Sequence, residues 1–258
     1  MTQSKLLVST PPTEQTNPTA RYSLLLTRDD ALVEAAQRLR YRVFAEELGA
    51  SLPTTEAGRD VDRFDEHCDH LVVRADRTGE IVGTYRMLPP ERAAAAGGYY
   101  SETEFDLAAF AGLRPNLVEA GRACVHPEHR AGAVVSLVWA GIARYLLLTG
   151  HTQLMGCASV SLADGGTLAG GVWDVVRAKH LSPPELRVRP RDPWDVSGGP
   201  RAARGEVPPL LRGYLRLGAW VCGPPAHDRD FDVADLLVLL PLDRIDPRYL
   251  RFFLGEPT

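Results

Sequence analysis

Between Ala131 and Ala163 the chain holds a single Arg, Lys, Asp or Glu, Arg144. A run so apolar has to be buried on most sides. Gly150, His151, Thr152 and Gln153 interrupt it, dividing it into a helical piece, Ala131 to Thr149, and a strand-like piece, Gln153 to Val160. A core helix feeding a core strand accounts for this better than a membrane span, which needs about 20 continuous apolar residues. The strand-like run Leu117 to Val125 comes just before, so the segment reads strand, turn, helix, strand.

The rest of the pattern surrounds that unit. Arg21 to Thr27 reads as a first strand. Asp29 and Asp30 open a helix whose apolar Leu32, Ala35, Ala36, Leu39, Val43 and Phe44 recur at helical spacing as far as Leu48. His70 to Ala75 and Glu80 to Leu88 flank Asp76-Arg-Thr-Gly79, a hairpin signal with glycine available for positive φ. Thr167 to His180, Pro208 to Leu217 and Pro247 to Leu254 read as helices, and Ala234 to Leu240 as a strand. An antiparallel meander feeding a strand–helix–strand unit predicts an α/β (α+β) fold, a mixed, mostly antiparallel sheet flanked by helices. The Pro-, Thr- and Gln-rich residues 1–20 read as a disordered tail, and 21–258 as a single domain. Ser182 to Val207, crowded with Pro, Arg and Gly, reads as an excursion or lid.

Net charge is −4, which gives no overall basic surface for nucleic acid. The four cysteines are scattered, no CxxC pair exists, and Cys68-Asp-His70 lacks a second ligand pair at zinc spacing. Reduced thiols in a cytoplasmic protein, with no metal, are the expectation. No nucleophile-elbow motif supports a Ser-His-Asp triad.

Chemistry concentrates in Val118-Glu-Ala-Gly-Arg-Ala-Cys-Val-His-Pro-Glu-His-Arg-Ala-Gly132 and the helix after it. A strand, a turn ending in Arg-x-Gly, then a helix aims backbone N–H groups at a phosphate. The segment resembles the central motif of the GNAT acetyltransferases. That resemblance implies an acyl and phosphopantetheine site at Cys124, Val125, Arg130, Gly132 and Ala133, with a strand N–H polarising the acyl carbonyl. The Val-Val pair after Ala133 stands where acetyl-CoA binders carry glycines and leaves a pyrophosphate less room. The single phosphate of an acyl carrier protein arm fits such a loop better.

Further motifs precede it in a fixed order. Arg40-Tyr-Arg-Val-Phe44, Asp62-Arg-Phe-Asp65, the strand arginine Arg86 and Glu119-Ala-Gly-Arg122 resemble the acyl-homoserine-lactone synthases, GNAT-like enzymes that use acyl carrier protein. Gly156-Cys-Ala-Ser-Val160, Pro208 to Gly218 and Asp228 to Asp235 resemble instead the ornithine-lipid N-acyltransferases, often labelled hemolysin-like, and the long-chain N-acyl amino acid synthases. The combined resemblance covers about Arg21 to Leu254. It implies transfer of a 3-hydroxyacyl group from acyl carrier protein to the α-amine of ornithine, giving lyso-ornithine lipid, with no bound cofactor. Other acceptors, acyl-CoA as donor, and a membrane-active protein are the competing readings. Peripheral contact with the inner face of the membrane is compatible with a lipid product.

Each residue carries two readings. Glu119 is the candidate general base, or an ion-pair partner of Arg122 or Arg86 that fixes the strand. Arg86 and Arg122 complete the catalytic set by holding an acyl carbonyl or carboxylate, or they brace Asp62, Asp65 and Glu119. Arg40, Phe44, Asp62, Asp65 and Asp235 are candidate substrate contacts. Phe44 lines an acyl tunnel or is plain core. Asp62 and Asp65 bind an amine or form a solvated loop. Asp228, Asp230 and Asp232 fall on one side if their segment is extended, and with Asp235 they can read a δ-ammonium. Arg187, Arg189, Arg191, Arg201 and Arg204 form a basic excursion, either a docking surface for an acidic carrier protein or an exposed loop.

Overall fold

The computed structural model describes residues 4–9, 21–52, 56–130, 132–197, 201 and 207–254. In chain order the strands are β1 (Lys5–Ser9), β2 (Tyr22–Thr27), β3 (Asp69–Ala75), β4 (Ile81–Leu88), β5 (Phe105–Asp106), β6 (Leu117–Val125), β7 (Gln153–Ser161), β8 (Arg189–Pro190), β9 (Trp220–Val221), β10 (Ala226–Asp228) and β11 (Val233–Pro241). The α-helices are α1 (Asp30–Tyr41), α2 (Pro90–Ala93), α3 (Ser101–Glu104), α4 (Gly132–Thr149), α5 (Thr167–Lys179), α6 (Pro209–Arg216) and α7 (Pro247–Leu254). The main sheet runs β1-β2-β3-β4-β6-β7-β11-β10, with β9 also on β11. Along that path only the β6–β7 pair is parallel, and α4 is its crossover. The mixed, mostly antiparallel α/β sheet expected from the sequence is the one observed.

Alternation divides the core between the two faces of the sheet. Leu71 and Val73 of β3 point to the side covered by α4, while Val72 between them packs with α1. The one charge of α4 is put to use at its rim. Arg144 donates to the carbonyls of Leu7 on β1 and Leu254 on α7, both at 2.8 Å. Among the described residues α4 is the one helix long and apolar enough to cross a membrane, and 56% of it is buried within the fold.

Three expectations change. Lys5–Ser9 is not tail but an edge strand on β2, while 10–20 lie outside the described residues. The first helix does not run as α-helix to Leu48, because Arg42–Glu47 form a π-helical turn that carries Phe44. The excursion is partly packed. Val188 is buried, β8 pairs with β5, and the Arg191 N–H donates to the Glu104 carbonyl at 2.7 Å. Residues 198–200 and 202–206, Arg204 among them, lie outside the described residues.

Candidate active site

The β6–β7 ladder lasts only three residue pairs, Leu117 with Gln153, Val118 with Leu154 and Glu119 with Met155. Beyond Glu119 the two strands separate. Gly156 sits at the fork, where a Cβ would come within 2.2 Å of the Ala120 carbonyl oxygen. On its other side β6 meets β4 through a bulge: Arg86 faces Gly121 and Thr84 faces Cys124, so Arg122 and Ala123 together oppose Tyr85. A bulge leaves the extra residue out of the ladder. Arg122 adopts φ 55° there, an uncommon conformation for a residue with a side chain.

That bulge decides which side chains meet. Counting alternately along the paired strands places Arg86, Glu119, Cys157, Ser159 and Asp235 on one face of the sheet. Arg122, an odd number of residues from Glu119, belongs on the opposite face. The left-handed turn at Arg122 returns its side chain to the Arg86 side. The fork thereby becomes a cleft of about 310 Å³ lined by both arginines, Glu119, Tyr100, Ser101, Phe44, Phe231, Cys157, Asp228 and Asp235.

Glu119 is buried and makes no ion pair within 4 Å among the described residues. Its carboxylate accepts from the N–H groups of Tyr100 and Ser101, both at 2.7 Å, and from Ser101 Oγ at 2.6 Å. Burial pushes its pKa above the ordinary carboxylate value, and the hydrogen bonds from Ser101 oppose that rise. The expected partnership with Arg86 or Arg122 is therefore replaced by one with the first turn of α3.

The arginines pair instead with the loop before β3. Arg40 is 0% exposed and donates to Asp60 Oδ2 at 2.8 Å and to Asp65 Oδ1 and Oδ2 at 2.8 and 2.7 Å. Arg86 reaches Asp62 at 2.6 Å and Asp65 at 3.1 Å. Arg122 lies 3.2 Å from Asp60 and 3.4 Å from Asp62, with Tyr100 and Phe231 rings 5.0 Å from its guanidinium. Burial alone would raise the Asp65 pKa, but Arg40 reverses it and holds the carboxyl far below its usual range. Burial and Asp65 push Asp62 upward as well, but Arg86 and Arg122 together hold it below its ordinary value. Three arginines pair with three aspartates, so Arg40, Asp62 and Asp65 brace the cleft floor. Asp60 joins them, unflagged by any motif.

Phe44 does line the cleft, edge-on to Phe231 at 5.6 Å. The donor-side residues lie beyond the bulge. Cys124 is buried and its thiol is pushed up to about 12, which makes it inert packing. Val125 gives its carbonyl to Arg130 Nε at 3.1 Å, and Arg130 forms a two-point pair with Glu47, both contacts 2.7 Å. Gly132 and Ala133 form the exposed first turn of α4.

The acidic segment at the C-terminal end is not extended, which corrects its expected alternation. Asp228 Oδ1 accepts from the N–H groups of Asp230 and Phe231, and Asp232 turns the chain with φ 50°. Asp230 and Asp232 are exposed, whereas Asp228 and Asp235 line the cleft. Glu104, missed in the sequence because 130 residues separate it from its neighbour, joins Asp235 and Cys157 with ligand atoms within 4.8 Å of one another. His126, Glu128 and His129 form a second such cluster, half-buried to exposed.

Residues 39–140 match the model of the "Acetyltransferase (GNAT) domain". The "L-ornithine N(alpha)-acyltransferase" of Agrobacterium fabrum is 36% identical over 90% of this chain and 84% of its own, and that of Brucella abortus 37% over 90% and 88%. This chain belongs to that acyltransferase family. It is an acyltransferase of GNAT type. Two solved structures show the fold alone: the CoA-dependent acyl-homoserine lactone synthase BjaI (TM-score 0.53, 18% identity, 89% of this chain and 84% of that one) and FeeM, an N-acyl amino acid synthase from uncultured soil microbes (TM-score 0.53, 14%, 90% and 94%).

Proposed function

We propose that the protein moves a (3-hydroxy)fatty acyl group from the phosphopantetheine thioester of acyl carrier protein to the α-amine of L-ornithine, giving lyso-ornithine lipid. The observation that carries this reading is 36–37% identity, along nine-tenths of the chain, to enzymes named for that acceptor. The cleft chemistry supports it. The thioester carbonyl lies against the bulge at Arg122–Ala123, where an unpaired backbone N–H stabilises the developing oxyanion. As the amine nitrogen bonds to the carbonyl carbon, its proton passes to Ser101 Oγ and the Ser101 proton to Glu119. A carboxylate raised by burial suits that task. The C–S bond then breaks and the thiolate of the arm leaves as a thiol, taking back the proton held on Glu119 through Ser101.

On the donor side, Val134 fills the floor beneath the first turn of α4. Its methyl lies 3.0 Å from where a Gly83 Cβ would stand. A loop so filled favours one phosphate over a pyrophosphate. Arg187, Arg189, Arg191 and Arg201 are exposed along the packed excursion and supply a basic face for an acidic carrier.

The test is mass spectrometry of the purified protein with 3-hydroxyacyl carrier protein or the matching acyl-CoA and a panel of amino acids. N-acylornithine formed faster from the carrier is the expected product. Equal or faster use of acyl-CoA sinks the donor assignment, and acylation of a different amino acid sinks the acceptor.

A further inference from the structure

Behind Asp235 in the cleft wall lies a second buried carboxyl, Glu104, the ligand atoms of the two and of Cys157 falling within 4.8 Å of one another. Glu104, at the last residue of α3, is 9% exposed, and Asp235, on β11, is 3% exposed. Neither Glu104 oxygen nor Asp235 Oδ1 accepts from an arginine, lysine or backbone N–H group; their near neighbours are each other, the Cys157 thiol and Ser159. Asp235 lines the cleft, as does Asp228, whose Oδ2 accepts from the Tyr100 hydroxyl at 3.2 Å. No arginine or lysine pairs with Glu104 or Asp235 within 4 Å among the described residues, whereas Asp60, Asp62 and Asp65 nearby each meet at least one arginine. Buried carboxyls left this way call for a cation. Burial pushes both upward, Asp235 adds to the rise of Glu104 and Asp228 to that of both, so the empty pair retains a proton that a bound cation displaces.

We infer that Glu104 and Asp235 form the subsite for the distal, non-reacting ammonium of the acceptor, and so select a diamino acid. This rests on the reading of the protein as an ornithine N-acyltransferase. The chemistry separates the two amines. A nucleophilic amine has to lose its proton, and a double-carboxylate subsite holds an ammonium in its charged form. The group bound there is therefore protected from acylation. Asp235 faces Ser159 on β7, on the same face of the sheet as Glu119, and lines the same cleft as Arg122 and Ala123. An acceptor lying across the opening presents one amine to the thioester at Arg122–Ala123 and the other to the acidic pair. The carboxylate of the amino acid stays near the arginine side.

The experiment compares kcat/KM for ornithine and norvaline, which lacks only the distal amine, in the wild type, Asp235→Asn and Glu104→Gln. The ratio of ornithine to norvaline falls at least 30-fold in each variant if the pair reads the ammonium. Thermal melting of the unliganded proteins is the second readout. Neutralising an unmatched buried carboxyl leaves the melting temperature the same or higher, so a marked drop in both variants makes the pair structural and overturns the inference. It is also overturned if the wild type uses both amines equally, or if the ratio holds while both rates fall together. A fourth overturning outcome is a divalent cation such as Zn²⁺ raising the wild-type melting temperature, but not that of Glu104→Gln, with the ratio unmoved. That result would assign the cluster to a metal. A wild type that acylates neither amine from any thioester overturns the function itself and this subsite with it.

Discussion

Ser101 gives Glu119 two hydrogen bonds, one from its N–H and one from its hydroxyl, both aimed at the same carboxylate oxygen at 2.7 and 2.6 Å. With Tyr100 N–H on the other oxygen, the carboxylate anchors the corner that starts α3. Glu119→Gln turns an amide N–H₂ toward one of these donors and lowers stability by about 1–3 kcal/mol. Ser101→Ala removes only the hydroxyl and lowers it by about 1 kcal/mol. If the acceptor's proton travels through Ser101 to Glu119, both variants lose roughly 10²-fold or more in turnover. Chemical denaturation and single-turnover rates separate the two effects. Normal turnover in a destabilised Glu119→Gln protein makes Glu119 a strut.

Arg40 anchors the charged floor with no exposure to solvent. Arg40→Ala removes the guanidinium that bridges Asp60 and Asp65, leaving Asp60 to Arg122 and Asp65 to Arg86, and removing one partner of a buried ion pair costs up to about 3–5 kcal/mol. Arg40→Lys keeps the charge but cannot fork between two carboxylates, so it recovers only part of that loss. Urea unfolding should rank the proteins wild type, then Lys, then Ala. Equal stability of Lys and wild type would mean that charge, rather than the guanidinium geometry, holds the floor.

The sheet was legible in the sequence wherever local chemistry speaks for itself. Asp76 to Gly79 announced the hairpin, and Gly79 does take φ 76°. The Leu117–Val125 strand and its helix followed from periodicity. The face of Arg122 was not legible. Strict alternation would have separated it from Glu119, and only Gly121 before it hinted at a bulge. Glu104 was invisible for a different reason: its segment is a one-turn helix, and its partner arrives on the eleventh strand. Asp62 and Asp65 stand out in the sequence as a pair, but sequence alone does not supply the third carboxylate, Asp60, that meets Arg40 and Arg122.

The two carboxylate groupings give opposite pH dependence. Asp62 and Asp65 have folded pKa values depressed below their unfolded ones, so their stabilisation is present above the ordinary carboxylate pKa and is lost as pH falls through and below it. Glu104 and Asp235 are raised, so their contribution is complete below the ordinary carboxylate value and is lost as pH rises through their elevated folded values. The unliganded protein should show a stability maximum on the acidic side of neutrality. Glu104→Gln should flatten the alkaline limb and leave the acid limb in place, as read from melting temperatures across pH. A single monotonic slope, unchanged by the substitution, would contradict this division.

Arg130 offers a test of the donor side. Its pair with Glu47 is exposed, so Arg130→Ala should alter stability by no more than about 1 kcal/mol. If the guanidinium exchanges Glu47 for the phosphate of the arm, the variant's KM for the acyl donor rises by roughly 10-fold, as the loss of one charge-assisted contact implies. The KM for the amine should not follow. Equal shifts in both would place Arg130 outside donor binding.

Gly156 tests whether the fork itself is the working part. A methyl at this position would meet the Ala120 carbonyl at 2.2 Å, and backbone on both sides leaves little room to yield. Gly156→Ala therefore has to push β6 and β7 apart at the last point where they are joined. Overpacking of that kind costs about 1–3 kcal/mol, and the displacement propagates to Ala120, Gly121 and the bulge that faces the acyl carbonyl. A shift of about 1 Å in a reacting group lowers rate by on the order of 10²-fold. The expected variant is folded, modestly destabilised and slow at saturating concentrations of both substrates. Ala158, two residues along β7 and on the α4 side, is buried in the main core. Ala158→Gly there should lose comparable stability through the smaller core, yet keep most of its turnover. If both variants lose activity only in proportion to stability, the fork is scaffold and the position of its strands does not set the rate.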